Sequence, residues 1–85
     1  MASYRVFIKP SAAKELEGVP LRDRRRLVAR IRRLGADPRP RGCEKLTGSE
    51  RYRVRQGAWR VLYTVDDDVV TVVVVKIGHR REVYR

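Results

Sequence analysis

Residues 51–85 read RYRVRQGAWRVLYTVDDDVVTVVVVKIGHRREVYR, and this stretch decides the fold. Apolar side chains alternate with polar ones in residues 51–55 and again, apart from Leu62, in residues 59–65, which is the period of half-buried β-strands. Gly57, in the short segment between the two runs, can adopt a positive φ and predicts a β-hairpin. A second reversal is predicted at residues 66–68. The mostly apolar run of residues 69–77 then predicts a central strand covered on both faces.

Residues 4–20 predict a short strand followed by a short helix. Residues 4–9 form the strand, and Pro10 ends it. Ser11 is the expected N-cap of the helix, because its side chain can accept a backbone hydrogen bond of the first turn. Gly18 and Pro20 end this helix after about two turns.

A second, longer helix is predicted to start near Pro20. Leu27, Ile31 and Leu34 repeat at the spacing of one helix face, and residues 35–38 contain the signals that end the helix. Residues 36–49 are expected to form a loop with a brief extended piece at residues 44–46. Together these elements predict an α+β fold, with an N-terminal strand and a two-helix hairpin packed on a mostly antiparallel twisted β-sheet.

Length and cysteine content set limits on the class of protein. The 85 residues suffice for a single domain, residues 1–85, with one modest core. Cys43 is the only cysteine, so no internal disulfide can form, and no apolar run is long enough for a membrane helix. We therefore expect a cytoplasmic protein that has no membrane partner.

Charge is the strongest global signal in the composition. Lys and Arg total 21 against 10 Asp and Glu, which gives a net charge of +11, and 17 of the basic residues are arginine. Arginine binds a phosphate through two donors and stacks on bases, whereas lysine offers a point charge, so this bias favours a nucleic-acid partner. A generally basic surface, or one that meets an acidic protein, explains the composition as well.

The second predicted helix carries an arginine-rich face opposite its leucines. This face is either a solvated surface that keeps a small domain in solution, the more common case, or a surface that docks on phosphates. Its arginines are Arg22, Arg24, Arg25, Arg26, Arg30, Arg32 and Arg33.

The side chains present favour phosphodiester chemistry over metal or nucleophilic catalysis. One histidine, one cysteine and an acidic cluster in a predicted turn do not provide a metal site, and no glycine-rich phosphate loop occurs. We therefore expect no metal and no small-molecule cofactor. Guanidinium groups can hold a phosphate and stabilise its developing charge. An RNA 2′-hydroxyl can itself attack the adjacent phosphate, so the protein need not supply a nucleophile.

Arg53, Arg55 and Arg60 are the first candidates for such a site, because the hairpin pattern places them on a common face. Each could equally be an ordinary outward residue of a strand. His79 has an ordinary pKa of about 6.5 and could carry a proton, although a lone histidine is more often a packing residue. Tyr84 would need arginine neighbours to lower its pKa from about 10 before it could act as a base.

The succession DPRPRG, KLTG, YRVRQGAWRVLYTV and IGHRREVYR resembles the RelE family of ribosome-dependent mRNA interferase toxins, within the RelE/ParE superfamily. The resemblance covers nearly the whole chain and implies a single RelE-like toxin domain that cleaves mRNA in the ribosomal A site. It also implies a cognate antitoxin as partner. The site residues that it implies are Arg53, Arg55, Arg60, Arg80 and Tyr84.

By this resemblance, Arg60 and Arg80 neutralise the scissile phosphate, Tyr84 helps to activate the 2′-hydroxyl, and Arg53 with Arg55 grips the RNA. Some family members have lysines where this chain has Arg53 and Arg55, and an arginine is a poor proton shuttle. Two other functions remain open: a ParE-like inhibitor of DNA gyrase, and a catalytically weak RNA-binding member. Further candidate RNA-binding residues are Lys45, Arg51, His79 and Arg81.

Overall fold

The computed structural model describes residues 3–79, in which two helices pack on one face of a five-stranded sheet. The elements in chain order are β1 (Arg5–Ile8), α1 (Pro10–Glu17), α2 (Leu21–Ala36), β2 (Glu44–Lys45), β3 (Arg51–Gln56), β4 (Trp59–Asp66) and β5 (Thr71–His79). The strands lie in the order β1-β5-β4-β3-β2, and every neighbouring pair is antiparallel except β1 with β5. The predicted α+β fold with a mostly antiparallel sheet is confirmed.

The core lies between α2 and the sheet. Leu27, Ile31 and Leu34 are all buried, as their helical spacing predicted, and they belong to one apolar cluster with the inward-facing residues of β3, β4 and β5. Gly35, near the end of α2, faces the start of β1 so closely that an added Cβ would lie 3.0 Å from the carbonyl oxygen of Tyr4. The absence of a side chain there lets the N-terminal strand cross the helix.

The start of α1 differs from the prediction. The helix begins at Pro10, with Lys9 as its N-cap residue and no side-chain capping bond, so Ser11 lies inside the first turn. Proline suits the first position of a helix because its φ is already fixed near the helical value and its missing N–H would have no intrahelical partner there. The prediction that Ser11 caps the helix was therefore wrong.

Strand β5 begins two residues later than the run 69–77 predicted. The Asp66 carboxylate accepts hydrogen bonds from the backbone N–H groups of Asp68 and Val69, and Val70 has a φ of 50°, so the turn extends through residue 70. The central position of β5 is confirmed, but its second face is only half-covered, since Val73 is half-buried there.

A β-bulge in β5 sets which of its side chains share a face. Leu62 pairs with Lys76 and Tyr63 pairs with Val74, so Val75 is the extra residue. Beyond the bulge the inward positions move by one residue. Ile77 therefore enters the core, while Lys76 moves to the outer face.

Glu15 of α1 covers part of β5 that β1 does not reach. The pairing of β1 ends at Val74 of β5. Beyond this point the Glu15 carboxylate accepts the backbone N–H of Ile77 at 3.0 Å and contacts Lys76 Nζ at 2.8 Å. A side chain thus satisfies an edge donor next to the end of β5, the end where His79 lies.

Candidate nucleic-acid interface

The outer face of the sheet carries a cluster of arginines, here called the arginine face: Arg51, Arg53, Arg55 and Arg60. The hairpin between β3 and β4 turns at Gly57 and Ala58, and Gly57 has a φ of 61°. This tight turn pairs Arg55 directly with Arg60, and the period of two places Arg53 on the same face. The predicted common face of Arg53, Arg55 and Arg60 is present in the structure.

Two arginines of this face are buried, and this is unusual for a charged side chain. Arg53 and Arg60 each expose 7% of their surface, whereas Arg55 is exposed. Like charges directly opposite each other on a sheet repel, and Arg55 lies directly opposite Arg60. An anion bound between these arginines would relieve that repulsion.

Glu44 of the edge strand β2 supplies a negative charge to the arginine face. It pairs with Arg53 in the sheet, and its Oε2 accepts a hydrogen bond from Arg53 Nη2 at 2.8 Å. Its other oxygen, Oε1, lies 3.8 Å from Arg55 Nη2. One carboxylate therefore bridges two arginines, and within residues 3–79 this cluster sets four arginines against one glutamate.

The remaining candidate residues divide among three places. Arg51 lies on the arginine face and is exposed. Lys45 pairs with Tyr52 and therefore lies on the opposite, helix-packed side of the sheet, where its Nζ is 3.9 Å from Glu50. Arg80, Arg81 and Tyr84 lie outside the described residues.

His79 also lies on the helix-packed side of the sheet. It pairs with Trp59 and meets the Trp59 ring edge-on at a centroid distance of 5.6 Å. The Trp59 indole N–H donates to Asp23 Oδ2 at 3.2 Å, which ties this aromatic pair to the first turn of α2. The imidazole is thus separated from the guanidinium groups by the sheet.

A second polar cluster, which sequence reasoning missed, fixes the loop that leads to β2. Arg39 donates to both oxygens of Asp67, at 3.1 and 2.9 Å, and its guanidinium lies 5.2 Å from the centre of the Tyr52 ring. Tyr4 donates to the same carboxylate at 2.6 Å. The Arg39 hydrogen bond lowers the pKa of Asp67, and the Asp67 hydrogen bond raises the pKa of Tyr4.

Tyr63 anchors the same loop from inside the core. The residue is fully buried, and its hydroxyl donates to the carbonyl oxygen of Pro38 at 2.8 Å. Burial raises the pKa of this phenol, because the charged phenolate would lose its hydration. This loop leads to Glu44. Tyr63 and the Arg39 cluster therefore support the position of the Glu44 carboxylate at the arginine face.

The arginines of α2 serve more than one purpose. Arg24 turns back toward α1 and donates to the carbonyl oxygens of Glu17 and Val19, so it stabilises the turn between the helices. Others line an open groove of about 530 Å³ between α2 and the β3–β4 hairpin. The groove is lined by Arg26, Ala29, Arg32, Arg33 and Gln56.

The described part of the chain contains neither a group of metal-binding side chains nor a membrane-spanning helix. Within residues 3–79, no three His, Cys, Asp or Glu side chains are grouped so that they could hold a metal ion. Neither helix in this part of the chain has the length and apolar character needed to cross a membrane.

The sequence matches the family model described as the ParE toxin of the type II toxin-antitoxin system, parDE, over residues 6–84. The chain belongs to the RelE/ParE superfamily of type II toxins. Among curated proteins, it is similar to toxin RelG of Mycobacterium tuberculosis, with 41% identity over 34 residues. That match covers 40% of this chain and 39% of RelG, so it spans less than half of the relative.

Solved RelE structures have the same fold along nearly the whole chain. The toxin-antitoxin complex RelBE2 of Mycobacterium tuberculosis contains a chain with a TM-score of 0.85 and 28% identity, covering 96% of this toxin and 97% of that chain. The archaeal RelE-RelB complex of Pyrococcus horikoshii gives 0.84 and 30%, with coverage of 94% and 98%. The isolated RelE toxin of E. coli gives 0.80 and 28%, with coverage of 96% and 92%. The family resemblance inferred from the motifs is confirmed.

Proposed function

We propose that this toxin is an endoribonuclease that cleaves mRNA in the ribosomal A site and thereby inhibits translation. The observation that carries the proposal is the convergence of Arg53, Arg55 and Arg60 on one sheet face, with two of the three side chains buried. Buried guanidinium groups are held in place before substrate arrives, so they can stabilise charge that develops in a transition state without reorganising.

The proposed reaction uses the RNA as its own nucleophile. The 2′-hydroxyl attacks the adjacent phosphorus, the bond to the 5′-oxygen breaks, and the products are a 2′,3′-cyclic phosphate and a 5′-hydroxyl. The proton of the 2′-hydroxyl passes to a base, and the leaving 5′-oxygen receives a proton. Arg60 and Arg80 neutralise the phosphate, while Arg53 and Arg55 hold the RNA backbone, so this chemistry needs neither a metal nor a protein nucleophile.

We assign the proton transfer to Tyr84 rather than to His79. An arginine stays protonated and cannot shuttle protons, so the arginine face supplies charge but no base. His79 packs against Trp59 on the other side of the sheet, which counts against its earlier candidacy as a proton carrier. The ribosome would order the mRNA for in-line attack, which is an advantage of positioning that a small open face does not provide alone.

The proposed partners are a cognate antitoxin, the ribosome and A-site mRNA, in the cytoplasm. The similar solved structures from Mycobacterium tuberculosis and Pyrococcus horikoshii are toxin-antitoxin complexes. The net charge of +11 makes an acidic or amphipathic antitoxin segment physically suitable, because it would reduce self-repulsion and cover the arginine face.

Inhibition of DNA gyrase is the second candidate function. The specific observation in its favour is that the matching family model is described as a ParE toxin. The salt dependence of binding does not separate the two functions, because each predicts binding that weakens as the ionic strength rises. Cleavage of mRNA does separate them.

A primer-extension map of a defined mRNA on programmed ribosomes tests the proposal. Wild type should give a new stop within the A-site codon that is absent from ribosome-free mRNA. Arg60→Gln should reduce the stop about 100-fold, as expected when one group that stabilises transition-state charge is lost, and Tyr84→Phe should also reduce it. Lys14→Gln, which removes an exposed positive charge of α1, is the matched control and should cleave like wild type.

Folding of each variant is checked by circular dichroism, because Arg60 is buried. A folded wild type that gives no stop on ribosomes would refute the nuclease. A gyrase supercoiling assay with the same preparation would then test the second candidate.

A further inference from the structure

The carboxylate of Glu44 lies against two guanidinium groups of the arginine face. Oε2 lies 2.8 Å from Arg53 Nη2, and Oε1 lies 3.8 Å from Arg55 Nη2. Two oxygens of one anion thus face two guanidinium groups, which is the geometry that a bridging phosphate would adopt. Phosphate and carboxylate are both anionic acceptors and would repel each other at this position.

We propose that Glu44 is a carboxylate gate: it holds Arg53 and Arg55 in the free toxin and is displaced when an RNA phosphate binds. The inference deepens the proposed function, since it rests on the part of it that has RNA bind to the arginine face. It assigns a regulatory role to an acidic residue of the edge strand. None of the candidate residues in the sequence analysis was acidic.

Glu44 is the partner that is able to move. The Arg53 side chain is only 8% exposed, whereas the Glu44 side chain is 53% exposed. Strand β2 has two residues and lies at the edge of the sheet, so rotation of the Glu44 side chain into solvent disturbs no strand beyond it. Solvent can hydrate the Glu44 carboxylate once it leaves Arg53, so an incoming phosphate can take its place.

The gate also explains how the free toxin tolerates clustered arginines. Arg53 and Arg55 lie two residues apart on the same face of β3, and Arg60 lies opposite Arg55. The Glu44 carboxylate offsets part of their mutual repulsion in the absence of RNA. The expected consequence is that removing the carboxylate strengthens anion binding and lowers the stability of the free toxin.

The test measures binding of a single-stranded oligoribonucleotide made uncleavable by 2′-deoxy substitution, with inorganic pyrophosphate as a second probe. Four proteins are compared: wild type, Glu44→Gln, Glu44→Asp and Glu50→Gln. Glu44→Gln keeps the shape of the side chain and removes its charge. Glu44→Asp keeps the charge but shortens the side chain by one methylene, so the carboxylate can no longer reach both arginines.

We expect Glu44→Gln to tighten oligonucleotide binding about threefold to fivefold, because the RNA no longer has to displace a carboxylate from the two arginines. Its plot of log K against log salt should be steeper by about 0.7, the value for one more phosphate neutralised on a single strand. Glu44→Asp should also tighten binding, which a pure change in net charge does not predict. Glu50→Gln, whose side chain is 91% exposed and near Lys45, controls for net charge and should have a smaller effect.

The outcomes separate the gate from the nuclease. If Glu44→Gln or Glu44→Asp binds no more tightly than Glu50→Gln, the gate is refuted even where wild type cleaves mRNA on ribosomes. If both Glu44 variants bind more tightly but wild type does not cleave, the gate stands and the nuclease fails. A Glu44→Gln variant that is folded, binds more weakly and loses cleavage would overturn the gate in favour of a supporting role for the carboxylate.

Discussion

Replacing Tyr63 with phenylalanine tests how the core fixes the loop that leads to the arginine face. Phenylalanine keeps the buried ring and its stacking on Tyr52, which has a centroid distance of 5.8 Å. The substitution removes only the hydroxyl that donates to the Pro38 carbonyl oxygen at 2.8 Å. The main loss is therefore this hydrogen bond and the acceptor that it leaves behind.

The size of the effect follows from burial at both ends of this bond. A hydrogen bond contributes about 1 kcal/mol net, and an acceptor left buried without a donor adds to the cost. Tyr63 is 0% exposed and Pro38 is also buried, so we expect a loss of about 1–2 kcal/mol in the free energy of unfolding. For a domain of this size, that corresponds to a Tm lower by between about 4 and 16 °C.

The pH dependence gives a second readout of the same phenol. Burial raises the pKa of Tyr63 above its ordinary value of 10.0. A group with a raised folded-state pKa contributes stability that is complete below the unfolded pKa and is lost as pH rises through the folded one. Wild type should therefore lose stability above about pH 10 more steeply than Tyr63→Phe, which has no phenol at this position.

Thermal melts followed by circular dichroism at pH 7 and above pH 10 measure both effects. Tyr52→Phe is the matched control, because its hydroxyl accepts only a more exposed bond from Arg39 at 3.1 Å. We expect that variant to stay within about 0.5 kcal/mol of wild type. A Tyr63→Phe protein that melts within about 2 °C of wild type, or that shows the same alkaline loss, would refute the anchoring role.

Two further predictions concern the charged clusters. Asp67→Asn should lower the Tm at neutral pH, and its difference in Tm from wild type should shrink as pH falls below the ordinary pKa of 3.8. The reason is that the Arg39 hydrogen bond lowers the pKa of Asp67, so the stabilisation by the carboxylate is lost in acid. A difference in Tm that does not change with pH would contradict this. Arg55→Gln should reduce the slope of log K against log salt for single-stranded RNA binding by about 0.7. Arg26→Gln in the α2 groove should leave this slope unchanged, as a solvated helix face predicts. Equal slopes for the two variants would contradict the assignment of RNA to the arginine face.

The common face of the three arginines could be predicted because only local rules determine it. Alternation along β3 places Arg53 and Arg55 together, and a two-residue turn around Gly57 fixes the pairing of Arg55 with Arg60. The same local information gave the apolar stripe of α2. These features depend on residues close together in the chain, so the printed sequence contains them.

Contacts across long separations could not be predicted in this way. Arg39 and Asp67 are 28 residues apart, and their contact depends on how the loop after α2 passes the turn between β4 and β5. Glu44 lies only nine residues before Arg53, yet its role requires that β2 pair with β3 in one particular register. Nothing in the pattern of residues 36–49 specifies that register.

The placement of His79 depends on a single inserted residue. In a regular strand His79 would share a face with Thr71 and Val73, which lie on the same side of the sheet as the arginines. The bulge at Val75 moves every later residue of β5 by one position, so Gly78 pairs with Arg60 and His79 pairs with Trp59. Gly78, which has no side chain, thus lies opposite the buried Arg60, and the imidazole lies on the helix-packed side of the sheet. The bulge therefore favours a site that supplies permanent charge on the sheet, so a proton carrier has to come from another part of the chain.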